Sequence, residues 1–292
     1  MGDGMDFSNT AWVKRFLCRS GVGVVLALGG LFAGAAWAQT SSAPVVTAFN
    51  SYAHPPFVDE DGGLAADLVA YLNQKLAGAY RFQLETIPRS RLMRLHLADP
   101  AVFDGIVLFL HPRFVDDPEQ RRFLWTDGLF VDRNLLVFRG PMAPPVRHLN
   151  DLAGMRFGAS LDARYKGLDE LVSSQVITRV DSSSLSDSLK QLVAGRVDFT
   201  QTNATALHAM ERKPVWAHQF ASLPVPGDPE FARHILIGKK NADLAERLSG
   251  LVKGMPTDPR WKAIASRYML PVPSPRLPAS TPPLKPLAVA PR

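Results

Sequence analysis

The chain is 292 residues long, 46% apolar and 21% charged, with a formal net charge of +6. These proportions exclude a disordered polymer and leave room for one large or two ordinary globular domains. The positive excess is modest and spread out. Without basic runs and interleaved aromatics it argues against a nucleic-acid partner.

Lys14, Arg15 and Arg19 precede an apolar segment, GVGVVLALGGLFAG, which leads into Ala36-Trp37-Ala38. That order of charge, apolar stretch and small-x-small site predicts a secretory signal peptide over residues 1–38, cleavage before Gln39 and export. The segment is too short for a comfortable membrane span, and no later one is long and apolar enough. A soluble mature protein is therefore expected. The first 38 residues carry three basic and two acidic side chains, so their loss takes the formal charge to +5. Cys18, the single cysteine, goes with them, which leaves no thiol for a disulfide or a Cys-ligated metal.

VVTAFNS (45–51) reads as a first strand that enters the loop YAHPPFVDEDGG. Its two prolines fix an extended path, and Asp-Gly-Gly marks a turn. Leu64, Leu68, Val69, Leu72 and Leu76 then recur at helical spacing. YRFQLETI alternates as a second strand, and PRSRLMRLHLADP is a short helix carrying Arg89, Arg91 and Arg94. The stretch Phe103 to Arg139 organises the rest. It opens on GIVLFL, an unbroken apolar run suited to a strand covered on both faces. It closes on NLLVF before Gly140 and the turn PMAPP. Between the two runs lie His111, Pro112, Arg113, Arg121, Arg122 and Trp125-Thr126-Asp127. A cationic, aromatic loop at the carboxyl end of a buried strand is where open α/β sheets hold ligands.

The pattern then begins again. LNDLAGMRFGAS supplies a short helix and a strand, ARYKGLDELVSS a helix, and VITRVDS a strand. Leu185, Leu189, Leu192 and Val193 form a helical face, followed by Asp198 and another strand. This piece echoes RLMRLHLADPAVFDGIVLFL, which argues for two α/β lobes of similar build joined near residues 139–146. FARHILIGKK is a strand. Two helices follow, marked by Leu244, Leu248, Leu251 and Val252, and by Trp261, Ile264, Ala265 and Tyr268. The last 22 residues contain eight prolines, a composition expected to give a disordered tail over 271–292.

Signatures of catalysis are missing: no G-x-S-x-G elbow, H-E-x-x-H, Walker loop or dinucleotide fingerprint occurs. The seven histidines show no metal-ligand spacing, so no metal and no cofactor is expected.

Together these features resemble the periplasmic solute-binding proteins of family 3, the polar amino-acid-binding group. YAHPPFVDEDGGLAADLVAYL is similar to the family's opening aromatic-Pro-Pro-Phe, turn and helix. FDGIVLFL followed by PEQRRFLWTDGLF is similar to its Asp-led strand, Pro-Glu-x-Arg and Phe-Ser-Asp segment. LNDLAGMRFGAS and LVAGRVDF are similar to its "DL-x-G-x-x-x-G" and "L-x-x-G-x-x-D". The resemblance covers about residues 44–270 and implies a type II clamshell with two doubly wound α/β sheets. Lobe I would be 43–138 plus 229–270, with lobe II inserted as 143–225.

It also implies a site. An aromatic of the first loop, Tyr52 or Phe57, would pack on the ligand. A first-lobe arginine would grip an α-carboxylate by paired hydrogen bonds, geometry that lysine cannot reproduce. Arg121 matches the motif, although it lies two positions closer to Trp125 than the family pattern has it. Arg113 and Arg91 stand as alternatives. In the second lobe, Asp162-Ala163-Arg164-Tyr165 replaces the family's Gly-Ser/Thr pair, and Thr202-Asn203 replaces the acidic residue that meets an α-amine. Arg164, Tyr165, Thr202 and Asn203 complete the candidate site. A buried ammonium without a carboxylate is costly, so a ligand lacking that amine gains ground.

The implied role is a monomeric periplasmic binder that passes a small polar or anionic metabolite to an inner-membrane ABC permease. An enzyme on the same scaffold, with Asp162, His54 or His111 as acid or base, is the alternative. A ligand-sensing partner of a membrane receptor is the third reading.

Overall fold

The computed structural model describes residues 43–161 and 163–271. The expected signal peptide, Asp162 and the proline-rich tail from residue 272 lie outside the described residues. Two mixed sheets organise the chain.

The first sheet begins with β1 (Val45–Asn50), β2 (Arg81–Thr86) and β3 (Ile106–Leu110), which are parallel with β1 in the middle. Between β1 and β2 runs α1 (Gly63–Lys75). Leu64, Leu68 and Leu72 are buried on one side of the sheet, as their spacing requires. Between β2 and β3 lies α2 (Arg89–Arg91), which runs on as a wide turn over Leu92–His96. There Leu92 and Leu97 cover the other side, with Phe49, Phe103 and Val107. Burial on both sides explains why β3 is apolar at every position.

A 3₁₀ turn (Pro112–Val115) follows β3, and then come two short strands, β4 (Leu124–Trp125) and β5 (Phe130–Asp132). Asp117 holds the loop between turn and strands. Its carboxylate accepts from the backbone N–H groups of Arg121, Arg122 and Phe123 and from Trp125 Nε1. These bonds keep it below the ordinary carboxylate range in spite of its burial.

The second sheet holds β6 (Asn134–Arg139), β7 (Arg156–Ser160), β8 (Thr178–Ser182), β9 (Phe199–Asn203) and β10 (Phe220–Pro224), in the order β10-β6-β9-β7-β8. Its helices are α3 (Leu168–Ser173), α4 (Leu185–Val193) and α5 (Ala204–Glu211). The chain returns as β11 (Phe231–Ile237), antiparallel to β3, β4 and β5 in the first sheet. It ends with α6 (Ala242–Gly254) and α7 (Pro259–Arg267). In both sheets three parallel strands form one end, and a later or earlier strand runs against the innermost of them, which is the inferred repeat seen in space.

The structure moves one element and adds others. NLLVF, expected to close the first lobe, is β6, and it pairs with β9 and β10. The chain thus passes from the first sheet to the second at Asp132–Arg133, ahead of the PMAPP turn. Sequence reading did not resolve β4, β5, α5 or β10. The first two are too short to show a period, and β10 alternates over only five residues. The helix expected over ARYKGLDELVSS is confined to its second half, starting after Gly167.

The first residue of the expected tail belongs to the fold. Leu270 is buried, and the Pro271 carbonyl accepts from Val131 N at 2.9 Å. A chain ending at Met269 should therefore melt at least about 4 °C below one ending at Pro271, since a buried leucine and a strand hydrogen bond are lost. Equal melting temperatures would contradict that docking.

Candidate ligand-binding site

Three loops at the carboxyl ends of β1, β3 and β5 meet β11, and each is fixed by bonds from its own neighbours. Asn50, fully buried, brackets Tyr52: Tyr52 N donates to Asn50 Oδ1 at 3.1 Å, and Asn50 Nδ2 donates to the Tyr52 carbonyl at 3.0 Å. The loop is then sewn to α1, because Leu64 N and Ala65 N donate to the carbonyls of Pro56 and Phe57. Gly63, at φ +79°, permits that approach. A Cβ there would sit 2.8 Å from both carbonyl oxygens.

At the centre lies Arg233. Its guanidinium is 4.6 Å from the Tyr52 ring, 4.9 Å from Phe57 and 5.3 Å from Phe231. Tyr52 and Phe57 stack on each other at 4.7 Å. The counter-charge is Asp132, whose Oδ2 accepts from Arg233 Nε at 2.7 Å, with side-chain exposures of 2% and 0%. Asp132 Oδ1 accepts from Arg133 N and from Thr205 N, in the first turn of α5 in the second sheet. Arg233 Nη1 also donates to the Phe109 carbonyl at 2.9 Å. Phe109 has φ +63°, a left-handed conformation that a bulky residue rarely adopts, within an otherwise extended strand. Burial alone would lower the Arg233 pKa. Tyr52 and Asp132 more than offset it, and the group stays above its ordinary value.

Beside this core lies a shelf of imidazoles and rings. His111 is 5.8 Å from both Phe231 and His234, and 5.6 Å from Phe114, while Trp125 is 6.2 Å from His234. His234 Nδ1 is 2.8 Å from the Thr126 carbonyl, which can only accept, so the proton is on Nδ1. Burial pushes the His111 imidazole down to about 4, helped by Arg113, His234 and Arg233. Burial lowers His54 and His234 as well. Arg113 sits at the edge of the shelf, 3.8 Å from Asp228, which also accepts from Asn134 Nδ2 at 2.7 Å. Asn134 is the ladder partner of Asn203.

The residues singled out in the sequence separate into groups. Tyr52 and Phe57 come together, but around the protein's own arginine. Arg113 lies against the shelf and, through Asp228 and Asn134, next to Thr202 and Asn203 of β9. Asn203 Oδ1 is occupied as the cap of α5, accepting from Ala206 N. Arg121 points away, 83% exposed and paired with Glu119. Arg91 and Arg164 are exposed on the surface. Tyr165 packs inside the second lobe against Phe157 and accepts from Ser160 N.

Arg233, Asp132, His234 and Asp228 were missed. Two of them left a signal: Phe231, Arg233, Ile235 and Ile237 share one strand parity, as do Phe130 and Asp132. A charge at a core position of a strand calls for a buried partner. Among the described residues no cluster of His, Cys, Asp or Glu could hold a metal ion. No helix there is long and apolar enough to cross a membrane.

No family model and no curated relative matches the chain. Solved structures do. One, from work on glutathione import through a cystine ABC importer of Streptococcus mutans, is 13% identical with a TM-score of 0.62 over 80% of this chain and 98% of that one. An ancestral arginine-binding protein bound to arginine is 17% identical, TM-score 0.59, over 78% and 99%. A histidine kinase sensor domain with similarity to periplasmic binding proteins is 15% identical, TM-score 0.59, over 80% and 99%. The chain thus has the two-lobed type II fold of periplasmic binding proteins. This is the fold of the amino-acid-binding proteins of ABC importers, as the resemblance to family 3 implies.

Unfolded chains protonate histidine near pH 6.5, whereas folded His111 takes up its proton only near pH 4. The unfolded state therefore binds more protons between those values, and stability should fall as the pH drops through that window. We expect the melting temperature to decline from pH 7 to pH 4.5, and His111→Gln to decline less. Parallel curves for the variant and wild type would contradict the assignment.

Proposed function

We propose that the protein is a periplasmic solute-binding protein that holds a small polar or anionic metabolite between its lobes. In this reading it presents that solute to an inner-membrane ABC permease. One observation carries the choice of anchor. Among Arg121, Arg113 and Arg91, Arg113 lies at the end of buried β3 and faces a carboxylate, Asp228, that is tied to the second sheet through Asn134. Its pairing with Asp228 is long and partly exposed, so a ligand carboxylate can compete for its donors.

The neighbouring charges favour an anion over an ordinary α-amino acid. Asp132 is committed to Arg233, and the Asn203 oxygen to the first turn of α5. A ligand ammonium would have to share Asp228 with Arg113 and Asn134. A small carboxylate without that amine suits the site better.

We favour binding over catalysis on the state of the candidate base. An imidazole held at about 4 is a weak base at neutral pH, far from the value that serves proton transfer best. The test is native mass spectrometry for a co-purified acid, followed by calorimetry with that acid on alanine variants of the three arginines. Arg113→Ala should weaken binding about thirty-fold or more, as expected for a desolvated anion left unpaired. Arg121→Ala and Arg91→Ala should stay within a few-fold. Wild-type affinity in a folded Arg113→Ala protein would overturn the reading.

A further inference from the structure

A cation enclosed by aromatic faces and a carboxylate is the arrangement a receptor offers to a guanidinium or ammonium ligand. Here every part of that receptor is present, and the cation is the protein's own. Tyr52, Phe57 and Phe231 surround the Arg233 guanidinium at 4.6, 4.9 and 5.3 Å. Asp132 balances its charge through Nε, and the Phe109 carbonyl accepts from Nη1. Phe231 and Arg233 stand two residues apart on β11, so one strand supplies both a wall and the occupant. Of the other two walls, Phe57 is fully buried and Tyr52, at the carboxyl edge of the first sheet, is partly exposed.

We propose that Arg233 is the specificity-determining residue of the site, a tethered cation that fills an aromatic box and closes it to cationic solutes. The inference rests on the ligand-binding reading above. It narrows the substrate class to neutral and anionic molecules, because a cationic side chain would meet both a filled box and a buried like charge. Arg113 adds a second positive group close by, and the neutral imidazoles of His54, His111 and His234 supply no counter-charge. Asp132, the carboxylate that would attract a cation, is already satisfied on both oxygens.

The test empties the box and refills it from solution. Agmatine, which carries a guanidinium on a slender chain, is titrated against wild type, Arg233→Ala and the double variant Asp132→Asn/Arg233→Ala. Melting temperature is read at constant ionic strength set with sodium chloride. Arg233→Ala should melt lower than wild type and regain about 3 °C or more, saturably, once agmatine exceeds its dissociation constant tenfold. Wild type and the double variant should show no saturable rise, the first because the box is full and the second because the counter-charge is gone.

If Arg233→Ala does not fold alone, Arg233→Gln keeps a donor for Asp132 while vacating the guanidinium's place, and the same titration applies. A saturable rise in wild type, or none in the folded single variants, would overturn the proposal. The readout needs no native ligand, so it is independent of whether Arg113 anchors one.

Discussion

A guanidinium sealed between three aromatic rings must find its counter-charge inside the protein. Desolvating either ion of such a pair costs several kcal/mol even after relaxation, and only close geometry with further hydrogen bonds recovers it. Asp132 and Arg233 meet that requirement. Arg233 Nε bonds Asp132 at 2.7 Å, and Nη1 bonds the Phe109 carbonyl. The second oxygen of Asp132 receives N–H groups from Arg133 and from Thr205 in α5. The left-handed turn of Phe109 costs about 1–3 kcal/mol, and a hydrogen bond to a charged group returns a similar amount. One pair thereby ties together β11, the strand that leaves the first sheet, and a helix of the second.

The character of the candidate site follows from that pair. With Asp132 committed inward, the polar groups at its margin are Arg113, Asp228, Asn134 and three imidazoles that burial keeps neutral above mildly acid pH. The aromatic loop is positioned by Asn50 and by the first turn of α1, which sets Tyr52 and Phe57 against the Arg233 guanidinium.

Much of the fold was legible because it rests on local rules. Leucine spacing marked α1 and α4, and the unbroken apolar run marked β3 as a doubly covered strand. The repeat of helix, turn, Asp and strand announced two similar sheets. The chain's crossing point was not legible. NLLVF reads the same whichever sheet it joins, and its partners β9 and β10 lie roughly sixty to ninety residues away. For the site, the aromatic loop and the end of β3 could be found from composition. The inward pair could not be matched across the hundred residues that separate Asp132 from Arg233, although each stood at a core parity of its strand. Arg121 illustrates the opposite error of emphasis. Its motif position is suggestive, yet Asp117 uses only its backbone N–H and leaves the side chain in solvent.

The claim that a buried ion pair locks β11 to β5, the strand that leaves the first sheet, is most directly tested by a double-mutant cycle with Asp132→Asn, Arg233→Met and both together, read by denaturant unfolding. Each single variant should lose about 3–5 kcal/mol, because the remaining partner is left buried and uncompensated. The double variant should lose less than the sum by about 2 kcal/mol or more. Additive losses, or a single variant as stable as wild type, would contradict the account.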